Sequence, residues 1–290
     1  MSPQHDGVRS GLRNFSAEKY LLPMKIKILY EDPDVLVIDK PSGISVHSDL
    51  RSEEKTIADW FLKKYPKAEN VGESIFTDGK EIKKPGIVHR LDKDTSGVLL
   101  LAKNQKAYEF LKNQFKNKMV KKIYHAIVSG FVKKDHDVVN KPIGRSPRDF
   151  RRRLAGRGVR GDLREAITEY IVLKRFEAKA EHHEFFYARG SQPVLREGRS
   201  AKKIHDAPLN KFSYLEIHPK TGRTHQIRVH MKFINHPIVC DELYNPGKPC
   251  PKGLERLALH AKSVEFQNLK GKVIKVESPL PKGFSDLLNC

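Results

Sequence analysis

One carboxylate in this chain is poorly explained as ordinary loop chemistry. It is Asp92, within Gly86-Ile87-Val88-His89-Arg90-Leu91-Asp92-Lys93-Asp94-Thr95-Ser96-Gly97, a polar run set just before the apolar Val98-Leu99-Leu100-Leu101. Asp, Thr and Ser ahead of a strand turn the chain by bonding their side chains to nearby backbone, which accounts for Asp94, Thr95 and Ser96. Asp92 sits instead between Leu91 and Lys93, with Arg90 and His89 close by. A second polar cluster, Thr221-Gly222-Arg223-Thr224-His225-Gln226-Ile227-Arg228-Val229-His230-Met231, follows far downstream. On a helix opening at Thr224, His225 and Arg228 fall one turn apart, away from the stripe of Ile227, Met231 and Ile234. The start of such a helix beside Arg223 favours anions. Taken alone, the cluster reads equally well as charged helix surface.

Other chemistries lack their motifs. There is no Gly-x-Gly-x-x-Gly after a strand, no phosphate loop ending in Lys-Ser/Thr and no Gly-x-Ser-x-Gly elbow, so nucleotide cofactors and serine hydrolysis are set aside. His182 and His183 lack the His-Glu-x-x-His spacing of a zinc helix. Cys240, Cys250 and Cys290 form no Cys-x-x-Cys pair and read as three reduced thiols. No metal is expected.

These clusters need elements to hold them. Ile26, Ile28 and Tyr30 alternate with polar residues, Glu31-Asp32-Pro33-Asp34 can turn the chain, and Val35 to Ile38 resume as a strand. Ile57, Trp60, Phe61 and Tyr65 predict a helix near 54–65. Val98 to Leu101 reads as a buried strand, and Asn104 can cap a helix bearing Ala107, Phe110, Leu111 and Phe115. Strands follow near 123–128, 166–176, 212–218, 256–266 and 273–277, with a third helix from Thr224 to about Asn235. Many short strands with three helices predict an α+β fold built on a largely antiparallel or mixed sheet. Residues 1–22 read as a poorly ordered tail ahead of one catalytic domain over 23–290. Residues 141–165 carry eight Arg and one Lys against three acids, with four glycines, and read as a mobile, solvent-facing loop suited to phosphate. The segment 177–211 is long for a link between neighbouring strands and reads as an insertion, an extra hairpin or a binding appendage.

Fifty-five Lys and Arg against 35 Asp and Glu leave a net charge of +20. Such an excess attracts polyanions, and nucleic acid is the commonest in a cytosol. No apolar run approaches the roughly 18 residues of a membrane span, and no secretory pattern opens the chain. A cytoplasmic protein with no membrane partner is expected.

Taken together, the polar runs resemble the RluA-type pseudouridine synthases. His89-Arg90-Leu91-Asp92-x-x-Thr95-Ser96-Gly97 resembles their catalytic motif, and Lys122-x-Tyr124-x-Ala126-x-Val128-x-Gly130 their tyrosine-bearing strand. Gly222-Arg223-Thr224-His225-Gln226-Ile227-Arg228-Val229-His230 resembles their third motif and Lys40-Pro41-Ser42-Gly43-x-x-x-His47 the early one. All four stand in the family's order across roughly 23–290.

The resemblance implies an enzyme that detaches uracil from its ribose, turns it and rejoins it through carbon 5. That is an isomerisation, so no redox cofactor, metal or energy donor is implied. It assigns Asp92 as the essential carboxylate, nucleophile or base, and Arg228 as the cation that pairs with it. Tyr124 becomes the ring that packs on the flipped base. Arg90 fills the space the base leaves, while Thr95, Arg223 and His225 shape the substrate site. It implies a bent, largely antiparallel sheet flanked by helices around a central basic cleft. A monomer with no obligate protein partner, acting on ribosomal RNA or next on transfer RNA, follows. Two departures bear on which RNA is modified: 22 residues are too few for the small RNA-binding domain that some relatives carry ahead of the catalytic one, and 141–165 and 177–211 look longer or more basic than the usual pattern. Rival readings are a non-catalytic RNA-binding or ribosome-assembly factor, and a glycoside hydrolase using Asp92 with a second carboxylate. The charge suits a polyanion better than a neutral glycan.

Overall fold

The computed structural model describes residues 25–48, 54–77, 80–156, 158–181, 185–186, 194–195 and 209–289. The expected tail, 1–22, lies outside the described residues, as does most of 182–208. The chain opens with β1 (Lys27–Glu31) and β2 (Val35–Lys40), joined where Asp32 Oδ1 accepts from the amides of Asp34 and Val35 at 2.8 and 2.7 Å. That is the Asp-turn chemistry the sequence offers. Helix α1 (Ile57–Lys64) starts on a reciprocal cap between Thr56 and Asp59. A small hairpin of β3 (Ser74–Thr77) and β4 (Lys80–Lys83) precedes the Asp92 loop. Strand β5 (Ser96–Ala102) is buried throughout, and α2 (Gln105–Lys116) is capped by Asn104 as expected. Then come β6 (Lys121–Ser129) and β7 (His136–Asn140).

Residues 141–165 depart from expectation. Instead of a loop they form a three-stranded sheet of β8 (Ile143–Arg145), β9 (Arg153–Ala155) and β10 (Arg160–Arg164). Ile143 and Ala166 are buried with Val229 and Tyr244 in a small apolar cluster, which anchors the sheet to the body despite its charge. Strands β11 (Ile167–Glu181), β12 (Phe185–Phe186), β13 (Val194–Leu195) and β14 (Leu209–Pro219) follow. Because β11 and β14 pair directly as far as Lys179 and Leu209, both ends of the expected insertion are strand extensions. Helix α3 (Gln226–Phe233), β15 (Cys250–Pro251), β16 (Leu259–Gln267), β17 (Val273–Glu277) and a fourth helix, α4 (Lys282–Leu288), complete the chain. Helix α4 was not expected from the sequence; its seven residues bury only Phe284 and Leu287, too few to show a period.

The main sheet runs β1-β2-β5-β16-β6-β14-β11-β15, with β17 on β16 and β7 on β11. Its pairs are antiparallel except β16 with β5. At that parallel contact Gly97 has φ +108°, and a Cβ there would lie 2.2 Å from the Ala261 carbonyl oxygen. Only glycine lets the two backbones meet. The α+β expectation therefore holds.

Two apolar clusters stabilise this sheet. One gathers Leu36, Ile38, Phe61, Leu99, Leu101 and Leu111 from β2, β5, α1 and α2. The other gathers Ile127, Leu215, Ile217, Met231 and Phe284 from β6, β14, α3 and α4. Each fully buried side chain of this size contributes about 1.5–3 kcal/mol. Tyr124 packs against both clusters, so it marks where they meet.

Candidate active site

At that junction a cleft of about 1250 Å³ opens, lined by parts of the Asp92 loop, α2, β6, the end of β14 and the start of α3. Ile87, Val88 and Leu91 are buried and pin the loop to the first cluster, leaving Asp92 at the cleft with its side chain 20% exposed. His89 is a structural residue. Its Nε2 accepts from the Leu100 amide at 2.9 Å and its ring stacks on Phe115. Burial lowers it to about 3, which keeps Nε2 free to accept.

The early motif clamps the same loop. Lys40 is fully buried, and its ammonium donates to the carbonyls of Pro41, Ile44 and Lys93 at 2.7–2.8 Å. The Gly43 amide also donates to the Lys93 carbonyl, and Ser42 Oγ donates to that of Asp94. Burial pushes the ammonium down to about 7, while three acceptors around it favour the protonated form. Lys40→Met would remove a charged donor from three carbonyls, of which only that of Lys93 keeps another, the Gly43 amide. We expect it to lower unfolding free energy by about 3 kcal/mol, measured in urea; a loss under about 1 kcal/mol would show the loop needs no clamp.

The third motif supplies the partners of Asp92. Arg228 Nη1 lies 3.4 Å from Asp92 Oδ2, and His225 Nε2 lies 3.9 Å from Oδ1. Burial lowers His225 below its usual range, so at pH 7 it is neutral and Arg228 carries the positive charge beside Asp92. The helix does not open on Thr224 as expected. His225 adopts a left-handed φ of 55° and α3 begins at Gln226. The reason is the buried Gln226 carboxamide, whose oxygen accepts from the Arg223 amide and Thr221 Oγ1 while its nitrogen donates to Ile167 O and Thr168 Oγ1. That side chain replaces the threonine cap.

Tyr124 also lines the cleft. Burial, with the Asp92 charge nearby, raises its phenol well above the usual value, so the ring is neutral. Thr95 lies at the cleft floor, buried, and its hydroxyl has no hydrogen-bond partner among the described residues. Neither it nor Ser96, which contacts His260 Nδ1 and Arg256, turns the chain by side chain-to-backbone bonds as expected. The two exposed arginines sit at the rim: Arg90 contacts His47 Nε2 at 3.3 Å, and Arg223 Nε donates to Glu165 O.

Sequence reasoning missed two residues. Asp241, 1% exposed, receives Arg228 Nε and Nη2 at 2.7 Å each, and its Oδ1 also accepts from the amides of Leu243 and Tyr244. Tyr244 places its ring 5.1 Å from the Arg228 guanidinium, contacts His225 Nδ1 through its hydroxyl and accepts there from the Arg153 amide. The available signal was Arg228 itself. A cation between Ile227 and Val229 on a buried helix needs an acid, and Asp241 follows the apolar Ile238-Val239-Cys240. The reading of three reduced thiols is also corrected, because Cys240 and Cys250 are disulfide-paired, with Cα atoms 5.4 Å apart. Their ten-residue separation carries no motif; the chain returns to β15 only after circling Asp241 and Tyr244.

The model of the family described as RNA pseudouridylate synthase matches residues 34–233. The chain belongs to that family. It is 33% identical over 267 residues to the RNA pseudouridine synthase YlyB of Bacillus subtilis (strain 168), itself uncharacterized, covering 92% of this chain and 73% of that protein. It is 35% identical over 259 residues to ribosomal large subunit pseudouridine synthase D of Borreliella burgdorferi, covering 89% of this chain and 66% of that one. Among solved structures, human RNA Pseudouridylate Synthase Domain Containing 4 superposes with a TM-score of 0.59 at 25% identity, covering 91% of this chain and 92% of that one. As an RNA pseudouridylate synthase the chain is an isomerase that acts on RNA. Among the described residues, no helix is long and apolar enough to cross a membrane.

Proposed function

We propose that this chain isomerises specific uridines in structured RNA, ribosomal RNA first and transfer RNA next, with Asp92 as the essential carboxylate. The observation that carries this is Asp92, mostly enclosed, paired with Arg228 and sharing a cleft with Tyr124. Arg228 sets a positive charge 3.4 Å from Asp92, where a carboxylate acting as nucleophile or base carries its negative one. The neutral ring of Tyr124 offers a flat face to uracil, replacing the stacking lost when the base leaves its helix. Arg90 at the rim is positioned to enter the vacated space, and Arg223 and His225 border the base. The reaction conserves atoms: the bond from ribose to uracil nitrogen breaks, a bond to carbon 5 forms, and the carbon 5 proton moves to nitrogen.

The cleft carries nine Lys and Arg against three Asp and Glu, which fits a polyanion. The small basic sheet extends that grip. Arg160, Arg145 and Arg153 stand side by side on one rung of β10-β8-β9, and three like charges in a row are favourable only when anions lie across them. Binding to an unmodified large-subunit ribosomal RNA fragment should weaken steeply with salt. Four neutralised phosphates give a log–log slope of roughly −3 to −3.5, measured by fluorescence anisotropy, and a flat response would rule out an electrostatic grip.

Ribosomal RNA takes precedence because the Borreliella burgdorferi relative is named for the large ribosomal subunit. Pseudouridine mapping in ribosomal and transfer RNA, from cells with and without this gene, tests the assignment. At least one site should disappear. If all sites persist while the purified chain still binds RNA, the non-catalytic assembly role is correct.

A further inference from the structure

Most cations of the cleft are already engaged. Arg228 is held by Asp241 and Asp92, Arg223 by a backbone carbonyl, Arg90 by His47, and Lys121 by Glu265. Lys122 differs. It is half-buried, lines the cleft, and its side chain makes no hydrogen bond or ion pair with any described residue. On a strand, residues two apart share a face, so Lys122 and Tyr124 present one face to the cleft, whereas Lys121 at its edge is tied to Glu265. Burial lowers the Lys122 ammonium from its usual value, and among the described residues no acid offsets that.

We propose that Lys122 is a substrate-positioning residue that receives the phosphate of the uridine being isomerised. The inference rests on the RNA-isomerase reading and on Tyr124 taking the base. Lys122 is about 7 Å along β6 from Tyr124, a step comparable to that between a nucleotide's base and its own phosphate. The same cleft is also lined by exposed Lys116, and by Lys118, which lies 3.9 Å from Glu165, so a backbone leaving Lys122 meets further positive charge at Lys116. A desolvated ammonium without a carboxylate is costly until an anion arrives. The site therefore spends stability of the free protein on contact with RNA. A uracil carbonyl is the rival acceptor, but it would draw Lys122 back along the strand toward Tyr124 and leave Lys116 unused.

The test compares Lys122→Met and Lys122→Arg with the unaltered protein. Binding is measured on a fluorescein-labelled RNA hairpin with a uridine-rich loop, and turnover by tritium release from carbon 5-labelled large-subunit ribosomal RNA. K122M should raise KM roughly tenfold with kcat changed less than about threefold, and should make the salt slope shallower by about 0.7–0.9. K122R should restore the slope. Melting should be unchanged or higher in K122M, since an unpaired half-buried charge is gone; a lower melting temperature means Lys122 supports the fold and overturns the proposal. A fallen kcat with an unaltered slope assigns Lys122 to the base and overturns it too, as does an unaltered KM. If the unaltered protein neither binds nor converts these RNAs, the RNA-isomerase reading fails first, and the two failures are distinct.

Discussion

Asp92→Asn is expected to abolish pseudouridine formation while changing RNA affinity by no more than a few-fold. Asparagine has nearly the shape of aspartate and can still offer its carbonyl oxygen to Arg228 Nη1, 3.4 Å away in the unaltered site. What it loses is the negative charge, and with it the power to attack or to take a proton at neutral pH. Loss of an essential carboxylate or nucleophile costs on the order of 10⁴-fold or more in turnover. The fold should survive, because Arg228 keeps both of its bonds to Asp241 and no buried cation is stranded. Tritium release under single-turnover conditions is the measurement. Activity within about tenfold of the unaltered enzyme, roughly 1.4 kcal/mol of barrier, would remove Asp92 from the chemistry.

Asp241→Asn should produce the second-largest loss through a residue that never touches the base. Arg228 gives its Nε and Nη2 to Asp241 and only Nη1 to Asp92, so Asp241 fixes the plane and height of the guanidinium. An amide at 241 cannot accept both bonds, and its NH₂ group opposes the guanidinium. Breaking a buried ion pair costs about 3–5 kcal/mol of stability because the surviving charge stays desolvated. Catalysis should suffer beyond that. With Arg228 displaced, kcat falls by about 10²-fold while KM moves little, as expected when positioning slips by an ångström. Assays well below the melting temperature separate the effects, and an unaltered kcat there would make Asp241 a support of the fold alone.

How much of this was legible in the sequence depends on the range of the interaction. Asn104 as a cap, the Asp32 turn and the buried Val98 to Leu101 strand are set by residues within a few positions of one another, and they appear as expected. Asp92 stood out as an acid ill explained by its loop, whereas Tyr124 and Arg228 were assigned only through the resemblance of their motifs, since one lies on an ordinary alternating strand and the other in a cluster that alone reads equally well as charged helix surface. Asp241 was not, because one acid after a short apolar run looks like any turn until Arg228 is seen buried beside it. The basic sheet over 143–164 was misread because charge hides the few residues that anchor it, Ile143 and Ala166. The third helix was expected to open at Thr224, whereas its start is decided by Gln226 and its partners on β11.

The direct pairing of β11 with β14 has a consequence for how such an enzyme can diversify. Lys179 faces Leu209 across the ladder, so the strands on either side of residues 182–208 are already paired with each other near their ends. A segment whose two ends are already adjacent can lengthen or shorten cheaply, since closure entropy grows only with the logarithm of its length. The register of the sheet, and hence the spacing of Tyr124, Asp92 and Arg228, stays the same whatever hangs there. This junction is a place where lineages can exchange recognition parts while inheriting the chemistry untouched.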